Sequence, residues 1–492
     1  MLLTEAIGGI AVSAPDRPAV TDPSGTTTYA ELLRQAAGHL RVLSGIPADQ
    51  PVASLLTGRG QQVSALLGAA AGSRMLVPLN VRLSDYELVA ILADCGAALL
   101  LTERCLAERA AQVAAAAPLR PRVELVDDIE PRDPELLRKG LISPRDRVAC
   151  FYTSGAEGTP RGAVLTHGNL ASTVDTLRHL VPIEEDDVFL ALSPVWHVYA
   201  LTVGCLLPLS IGAHCLICPS MSLECSARAI DEHRATFVVT IPMALSRLAQ
   251  AGPDTQARSL RHCICGGDRL SLEVMSRFEG KFGITVTEGY GCAEATAAVA
   301  CNPFDSSRRP GWVGLPLPNQ RVQLVDDHGS AAPTGDVGEV VVRGPNVMSG
   351  YLGKPVDTRE VMRDGWLHTG DLARRSPDGF LQIVGRKRDV VVVDGQKVHA
   401  SQVERVLLAV DGVADCCVIG MPDRVLGQVP KALIVVAQGA DPSDELLRTQ
   451  CEAHLAEFEV PRAFVRVEKL PKTTAGRLSR ATATRMYGSS LS

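Results

Sequence analysis

The chain has 492 residues, 46% of them apolar, and a formal net charge of −6. Domains cluster near roughly 100 to 200 residues, so this length calls for two or more. Both charge signs are mixed along the chain, which leaves no basic face for nucleic acid and no polybasic membrane patch, and no apolar run approaches the roughly 18 residues of a membrane span.

The N-terminus, Met1 to Pro18, lacks a basic start followed by an apolar core, so no leader is expected and the location is read as cytoplasmic. Fourteen cysteines sit mostly in apolar strings such as Val148-Ala149-Cys150-Phe151, where a thiol behaves as a small hydrophobe and no disulfide is implied. Cys215 and Cys218 form one C-x-x-C beside His214, with no second pair at zinc-site spacing. A buried strand is expected there, with no metal.

In chain order, Val52–Leu56, Gln61–Gly72 and Leu76–Leu79 alternate strand-like and helical patterns, the rhythm of α/β layers. Asp127 to Arg147 is charged and broken by prolines, which predicts a surface connection. From Val148 the chain runs into a glycine-rich loop and then a helical stretch beginning near Thr166, a strand–loop–helix order of the kind phosphate-binding loops use. A β-rich stretch covers Arg321 to Val384, with turns at Asp326-Asp327-His328-Gly329 and Ser376-Pro377-Asp378-Gly379. After Gly385 and the charged string Arg386-Lys387-Arg388-Asp389, strands are predicted at Val390–Val393, Ala414–Gly420 and Lys431–Val436, enough for a small domain of their own. The pattern predicts an α/β protein with the boundary between residues 1–386 and 387–492.

The glycine-rich loop reads Thr153-Ser154-Gly155-Ala156-Glu157-Gly158-Thr159-Pro160-Arg161-Gly162. Closely spaced glycines let backbone N–H groups approach an anion, but the Gly-Lys-Ser/Thr ending of a Walker loop is absent, and taken alone the segment serves equally as a plain turn. Further along stand Pro194-Val195-Trp196-His197, Gly289-Tyr290-Gly291-Cys292-Ala293-Glu294, Gly338-Glu339, Trp366-Leu367-His368-Thr369-Gly370-Asp371, Gly385-Arg386 and Leu470-Pro471-Lys472-Thr473-Thr474-Ala475-Gly476-Arg477. In that order and spacing, over nearly the whole chain, the series resembles the adenylate-forming family of acyl-CoA synthetases, luciferases and peptide-synthetase adenylation domains.

The resemblance implies a large N-terminal domain of two α/β subdomains plus a β-rich subdomain, and a small, mobile α+β C-terminal domain with its hinge at Arg388. It implies two half-reactions in one site: acid and ATP give an acyl-adenylate, and CoA sulfur then attacks the activated carbonyl. Gly266, Gly267, Tyr290 and Gly291 are expected around the AMP, with Asp371 and Arg386 at the ribose and Glu294 near the phosphate and magnesium. His197, Gly291 and Cys292 are expected to border the acyl group, though a lone His such as His197 serves equally as a packed ring. Asp394 and Gly395 would form the turn presented in the CoA-using pose, and His197, Glu294 and Arg477 are the catalytic candidates.

The chain also departs from the family's pattern. Ala156 and Glu157 stand where hydroxyl residues are usual, Arg161 where a lysine is, Ala293 where a threonine is, and Arg477 where the adenylation lysine is. A like-charge pair at 4 Å costs about 1 kcal/mol in water and about 4 at an effective dielectric of 20, so Glu157 disfavours a polyphosphate unless it points into solvent. Arg477 keeps the charge in a wider, planar shape, and losing one preorganised donor costs about 10²–10³ in rate. Thiol attack on an acyl-adenylate relies more on positioning than on a protein nucleophile. The expectation is therefore a ligase that takes acyl-AMP and CoA as substrates, with ATP and magnesium not used productively. It is similar to non-adenylating ligases of actinomycete natural-product pathways, which receive the adenylate from a separate adenylating enzyme. The alternatives are a complete ATP-dependent carboxylic acid–CoA ligase and a catalytically silent acyl-adenylate-binding protein. The chain ends about fifteen residues past Arg477 without a carrier domain, which disfavours a peptide-synthetase loading domain. A homodimer is the default oligomer.

Overall fold

The computed structural model describes residues 3–488 apart from 49, 139–141, 155–159, 219–222, 251–256, 395, 424 and 473–477. The protein is mixed α/β and forms two compact units, one of residues 1–322, 341–369 and 379–381, the other of 323–340, 370–378 and 382–492. The strands Val337–Arg343 and Trp366–Arg375 carry the chain from one unit into the other. The β-rich stretch predicted as one block is thus shared between the units.

The first unit holds two large sheets. One has seven strands in the order Gly350–Tyr351, Pro160–Thr166, Arg147–Ser154, Leu76–Leu79, Val52–Leu55, Leu99–Thr102, Arg122–Leu125. Val52–Leu55, Leu76–Leu79 and Leu99–Thr102 pair in parallel and are buried throughout, which is why they read as continuous apolar runs rather than alternating ones. The other has nine strands, from Leu315–Pro316 through Ala300–Cys301, Val286–Tyr290, His262–Cys265, Phe237–Thr240, Val188–Ala191, His214–Ile217 and Pro18–Asp22 to Gly25–Thr28. Cys215 and Cys218 are buried at the strand His214–Ile217, as expected, and among the described residues no group of three or more His, Cys, Asp or Glu could hold a metal.

The second unit is built on the antiparallel strands Gln396–His399, Val390–Val393, Gly427–Val436 and Val413–Asp423, with Ala463–Arg466 parallel to Gly427–Val436. These contain the three strands expected beyond Gly385. Val391, Val393, Val403, Leu407, Val418 and Ile434 form its core with Leu447 and Phe464. No described helix in either unit is long and apolar enough to cross a membrane.

Candidate active site

The glycine-rich segment does not open a helix. Arg147–Ser154 and Pro160–Thr166 pair antiparallel, with Tyr152 opposite Gly162, Thr153 opposite Arg161 and Ser154 opposite Pro160, so the segment joins two strands of a hairpin. The helix His167–Leu180 begins only after the second strand, where Thr166 accepts from Asn169 N and caps it. This corrects the strand–loop–helix expectation: the apolar residues of Pro160–Thr166 are buried and belong to the sheet. Gly155, Ala156, Glu157, Gly158 and Thr159 lie outside the described residues.

The hairpin stem carries paired charges. Thr153 Oγ1 donates to Arg161 O at 3.4 Å. Arg161 Nε lies 2.9 Å from Asp357 Oδ2, and its guanidinium stacks 5.7 Å from the Tyr351 ring centroid. Lys354 Nζ donates to Pro160 O at 2.6 Å and lies 3.0 Å from Asp94 Oδ1, whose partner oxygen accepts from the Tyr152 hydroxyl at 2.7 Å.

The short strand Gly350–Tyr351 pairs with the hairpin's second strand and brings Tyr351 to Glu294, where its hydroxyl donates to Oε1 at 2.8 Å. Burial and the adjacent Glu294 charge push the Tyr351 phenol well above its usual range, which keeps the hydroxyl a donor. Backbone contact reinforces the link, as Met348 N donates to Glu294 O at 2.8 Å.

Glu294 sits on a tightly folded loop after the strand Val286–Tyr290. A Cβ on Gly291 would lie 2.0 Å from Ala297 O, so no side chain fits there. Thr296 and Ala297 both adopt left-handed backbone, at φ 52° and 70°, conformations that cost non-glycine residues about 1–3 kcal/mol each. Asn346, fully buried, holds them: its amide donates to Ala295 O and Ala298 O, and Thr296 Oγ1 donates to Asn346 O at 2.6 Å.

His197 stands just ahead of the π-helical stretch Ala200–Leu206, a rare element often found at functional sites. Its Nδ1 accepts from Tyr199 N at 3.2 Å, which leaves the ring proton on Nε2. The buried Tyr199 hydroxyl donates to Ile264 O at 3.1 Å. At Gly266 a Cβ would meet Gly289 O at 3.2 Å and the Tyr199 ring at 3.3 Å, so the His197 segment, the Gly266-Gly267 turn and the approach to Tyr290 converge. Gly267 has φ +85°, a conformation that favours glycine. Tyr290 ends its strand opposite Ala300, and Cys292 follows on the Glu294 loop, half-buried.

In the second unit Asp371 is 5% exposed and Arg386 Nε lies 2.9 Å from its Oδ1. Glu339 accepts from Gly370 N at 3.1 Å and pairs with Lys387 at 3.2 Å, which fixes the strand that carries Asp371. Arg388 lies in the 3-10 turn Lys387–Asp389. Asp394 has φ 46° and donates its N–H to Leu426 O at 2.8 Å. Gly395 and Arg477 lie outside the described residues. The sequence had not singled out Asn346, Tyr351, Lys354, Asp357 or Asp94, whose partners are remote along the chain.

Two largely parallel α/β sheets, a glycine-rich hairpin beside a tethered glutamate, and a small second unit whose buried Asp371 pairs with Arg386 fit an adenylate-forming enzyme. The chain belongs to the AMP-binding enzyme family, whose model matches residues 10–352, and the AMP-binding enzyme C-terminal domain matches residues 402–477. It lies in the acyl-CoA synthetase/ligase branch. It is 33% identical over 482 residues to a feruloyl-CoA synthase of Amycolatopsis sp, covering 96% of this chain and 97% of the relative. An indoleacetate–CoA ligase of Aromatoleum aromaticum is 29% identical over 500 residues, 97% of this chain and 96% of its own. Among solved structures, ATP-bound MatB from Rhodopseudomonas palustris matches with TM-score 0.90 and 27% identity over 99% of both chains. The amide bond synthetase McbA from Marinactinospora thermotolerans matches with TM-score 0.89 and 28% identity, over 99% of this chain and 100% of that one.

Proposed function

We propose that the protein is a carboxylic acid–CoA ligase that forms an acyl-adenylate from acid and ATP and passes the acyl group to CoA, with an aromatic carboxylic acid as substrate. The observation that carries this reading is the 33% identity to a feruloyl-CoA synthase along nearly the whole of both chains. In this reading Asp371, steadied by Arg386, accepts hydrogen bonds from the ribose hydroxyls. Tyr290 and the Gly266-Gly267 turn border the adenine, and His197, Gly291 and Cys292 border the acyl group. Glu294 is the only protein carboxylate assigned to the phosphates, so a magnesium ion would draw most of its oxygen shell from the nucleotide and water and would supply charge neutralisation there. The proposed pivot is Arg388, between residues 1–386 and 387–492, and Asp394 and Gly395 face CoA after rotation.

A second reading, in which only thioester formation survives, is favoured by particular residues. Ala156 and Glu157 remove hydroxyl donors and add a negative charge, Arg477 stands in place of the adenylation lysine, and Arg161 is already engaged by Asp357. In that reading a separate adenylating enzyme supplies acyl-AMP.

Mass spectrometry separates the two. Thioester formation is compared between aromatic acids plus MgATP and CoA, and the matching synthetic acyl-adenylates plus CoA. Product in both arms supports the complete ligase. Product from the adenylates alone supports the second reading, and restoring Arg477→Lys with hydroxyls at positions 156 and 157 should then recover ATP use. Product in neither arm leaves a silent binding protein.

A further inference from the structure

Thr296 and Ala297 follow the Glu294 turn directly and both hold left-handed backbone, at φ 52° and 70°. Non-glycine residues are strained there, and such a loop keeps its shape only where its surroundings over-determine it. Asn346, with no exposed surface, supplies that constraint. Its Nδ2 donates to Ala295 O at 3.1 Å and to Ala298 O at 3.3 Å, on either side of the strained pair, and to Gln320 Oε1 at 2.6 Å. Thr296 Oγ1 donates back to Asn346 O at 2.6 Å. Gln320 Nε2 in turn donates to Val299 O at 2.8 Å, which holds the end of the same loop. The clamp is itself anchored. Asn169 Nδ2 donates to Pro345 O at 2.7 Å and to Val347 O at 2.8 Å, one residue either side of Asn346. Asn169 Oδ1 meanwhile accepts from Thr166 N at 2.8 Å, at the start of the helix His167–Leu180.

We propose that Asn346 is a positioning residue for Glu294. By bridging Ala295 O and Ala298 O it holds Thr296 and Ala297 left-handed, and so sets the direction in which the Glu294 side chain leaves the loop. This rests on the reading that Glu294 meets the nucleotide phosphates. The Tyr351 hydroxyl fixes the tip of that side chain, whereas Asn346 fixes the backbone from which it springs, so the two supports act at different points. Without the amide, two carbonyls lose their donor and the strained residues relax toward ordinary φ, moving Glu294 with them. Glycine adopts φ 70° without strain, so a glycine at position 297 should keep the loop in place when the clamp is gone.

The test is calorimetric titration of the full chain with MgATP, paired with hydrogen exchange of residues 292–299 in the nucleotide-free protein. Asn346→Ala should weaken MgATP about ten-fold, the loss typical of a supporting contact, and speed exchange in the loop by about as much. Asn346→Ala with Ala297→Gly should recover both to within about three-fold of wild type, and Ala297→Gly alone should bind as the wild type does. Thr296→Val cuts the clamp from the loop side and opens no cavity. It should weaken MgATP about three-fold, and it carries the test if Asn346→Ala does not fold. Unchanged MgATP binding in Asn346→Ala, or a loss that Ala297→Gly does not restore, overturns the inference. Glu294→Gln separates that failure from failure of the functional reading: if it leaves MgATP binding unchanged while Asn346→Ala still frees the loop, Glu294 is not at the phosphates. A wild-type protein that does not bind MgATP sinks the functional reading, and the inference with it.

Discussion

The phenolic hydroxyl of Tyr351 donates to Oε1 of Glu294 at 2.8 Å across a separation of 57 residues. Because Tyr351 also pairs through its backbone with the hairpin strand Pro160–Thr166, the carboxylate expected at the phosphates is braced against that strand. Tyr351→Phe removes the hydroxyl and leaves the strand pairing intact. Supporting contacts of this kind are worth about 10–100-fold at metal and phosphate sites. Pyrophosphate release from acid and MgATP should fall by about that factor, while thioester formation from supplied acyl-AMP falls less than three-fold. Equal losses in both would assign Tyr351 to the fold rather than to Glu294.

Much of this architecture could be read from residue order. The buried parallel strands announce themselves as short apolar runs such as Leu76–Leu79, and the motifs from Thr153 to Arg477 point to the family. What escaped was any contact with no local signature. Pro160-Arg161-Gly162 looks like loop because proline and glycine mark turns, yet antiparallel pairing with Arg147–Ser154 captures it as a strand. Asn346 gives no periodic signal, since its partners are backbone groups of a loop about fifty residues earlier and the side chain of Gln320. The carboxylates that neutralise Arg161 and Lys354 are likewise set by pairing of remote segments.

A partly buried ion triad should determine how firmly the C-terminal helix is held. Arg480 Nη2 lies 2.5 Å from Glu404, and Nη1 lies 3.0 Å from Asp389, the neighbour of the proposed hinge residue. Glu404 also accepts from Val418 N at 2.8 Å, and the two carboxylates hold the Arg480 guanidinium well above its usual range against the opposing effect of burial. Arg480→Gln strands the buried Glu404 and the half-buried Asp389, a change that costs about 3 kcal/mol. Adding Glu404→Gln, which keeps an acceptor for Val418, should recover about half of it. Hydrogen exchange on the full chain measures this in the helices Ala400–Leu408 and Arg480–Tyr487. Additive losses of protection in the double variant would show that the pair is not coupled.

Glu288 makes stability depend on pH near neutrality. It is 6% exposed on the strand that ends at Tyr290, and burial raises its carboxyl from 4.5 to about 7. Gly311 N donates to it at 2.9 Å and Arg308 lowers its pKa, while Glu279 raises it. The folded state thus binds the proton more tightly than the unfolded chain. Its contribution is fully present below about 4.5 and is lost as pH rises through about 7, a difference of roughly 3 kcal/mol. Glu288→Gln keeps an acceptor for Gly311 and cannot ionise. Thermal unfolding should show the variant close to wild type at pH 5 and more stable by several degrees at pH 8. A gap between the two that stays constant across this range would mean that Glu288 ionises in the folded protein as it does in the unfolded chain.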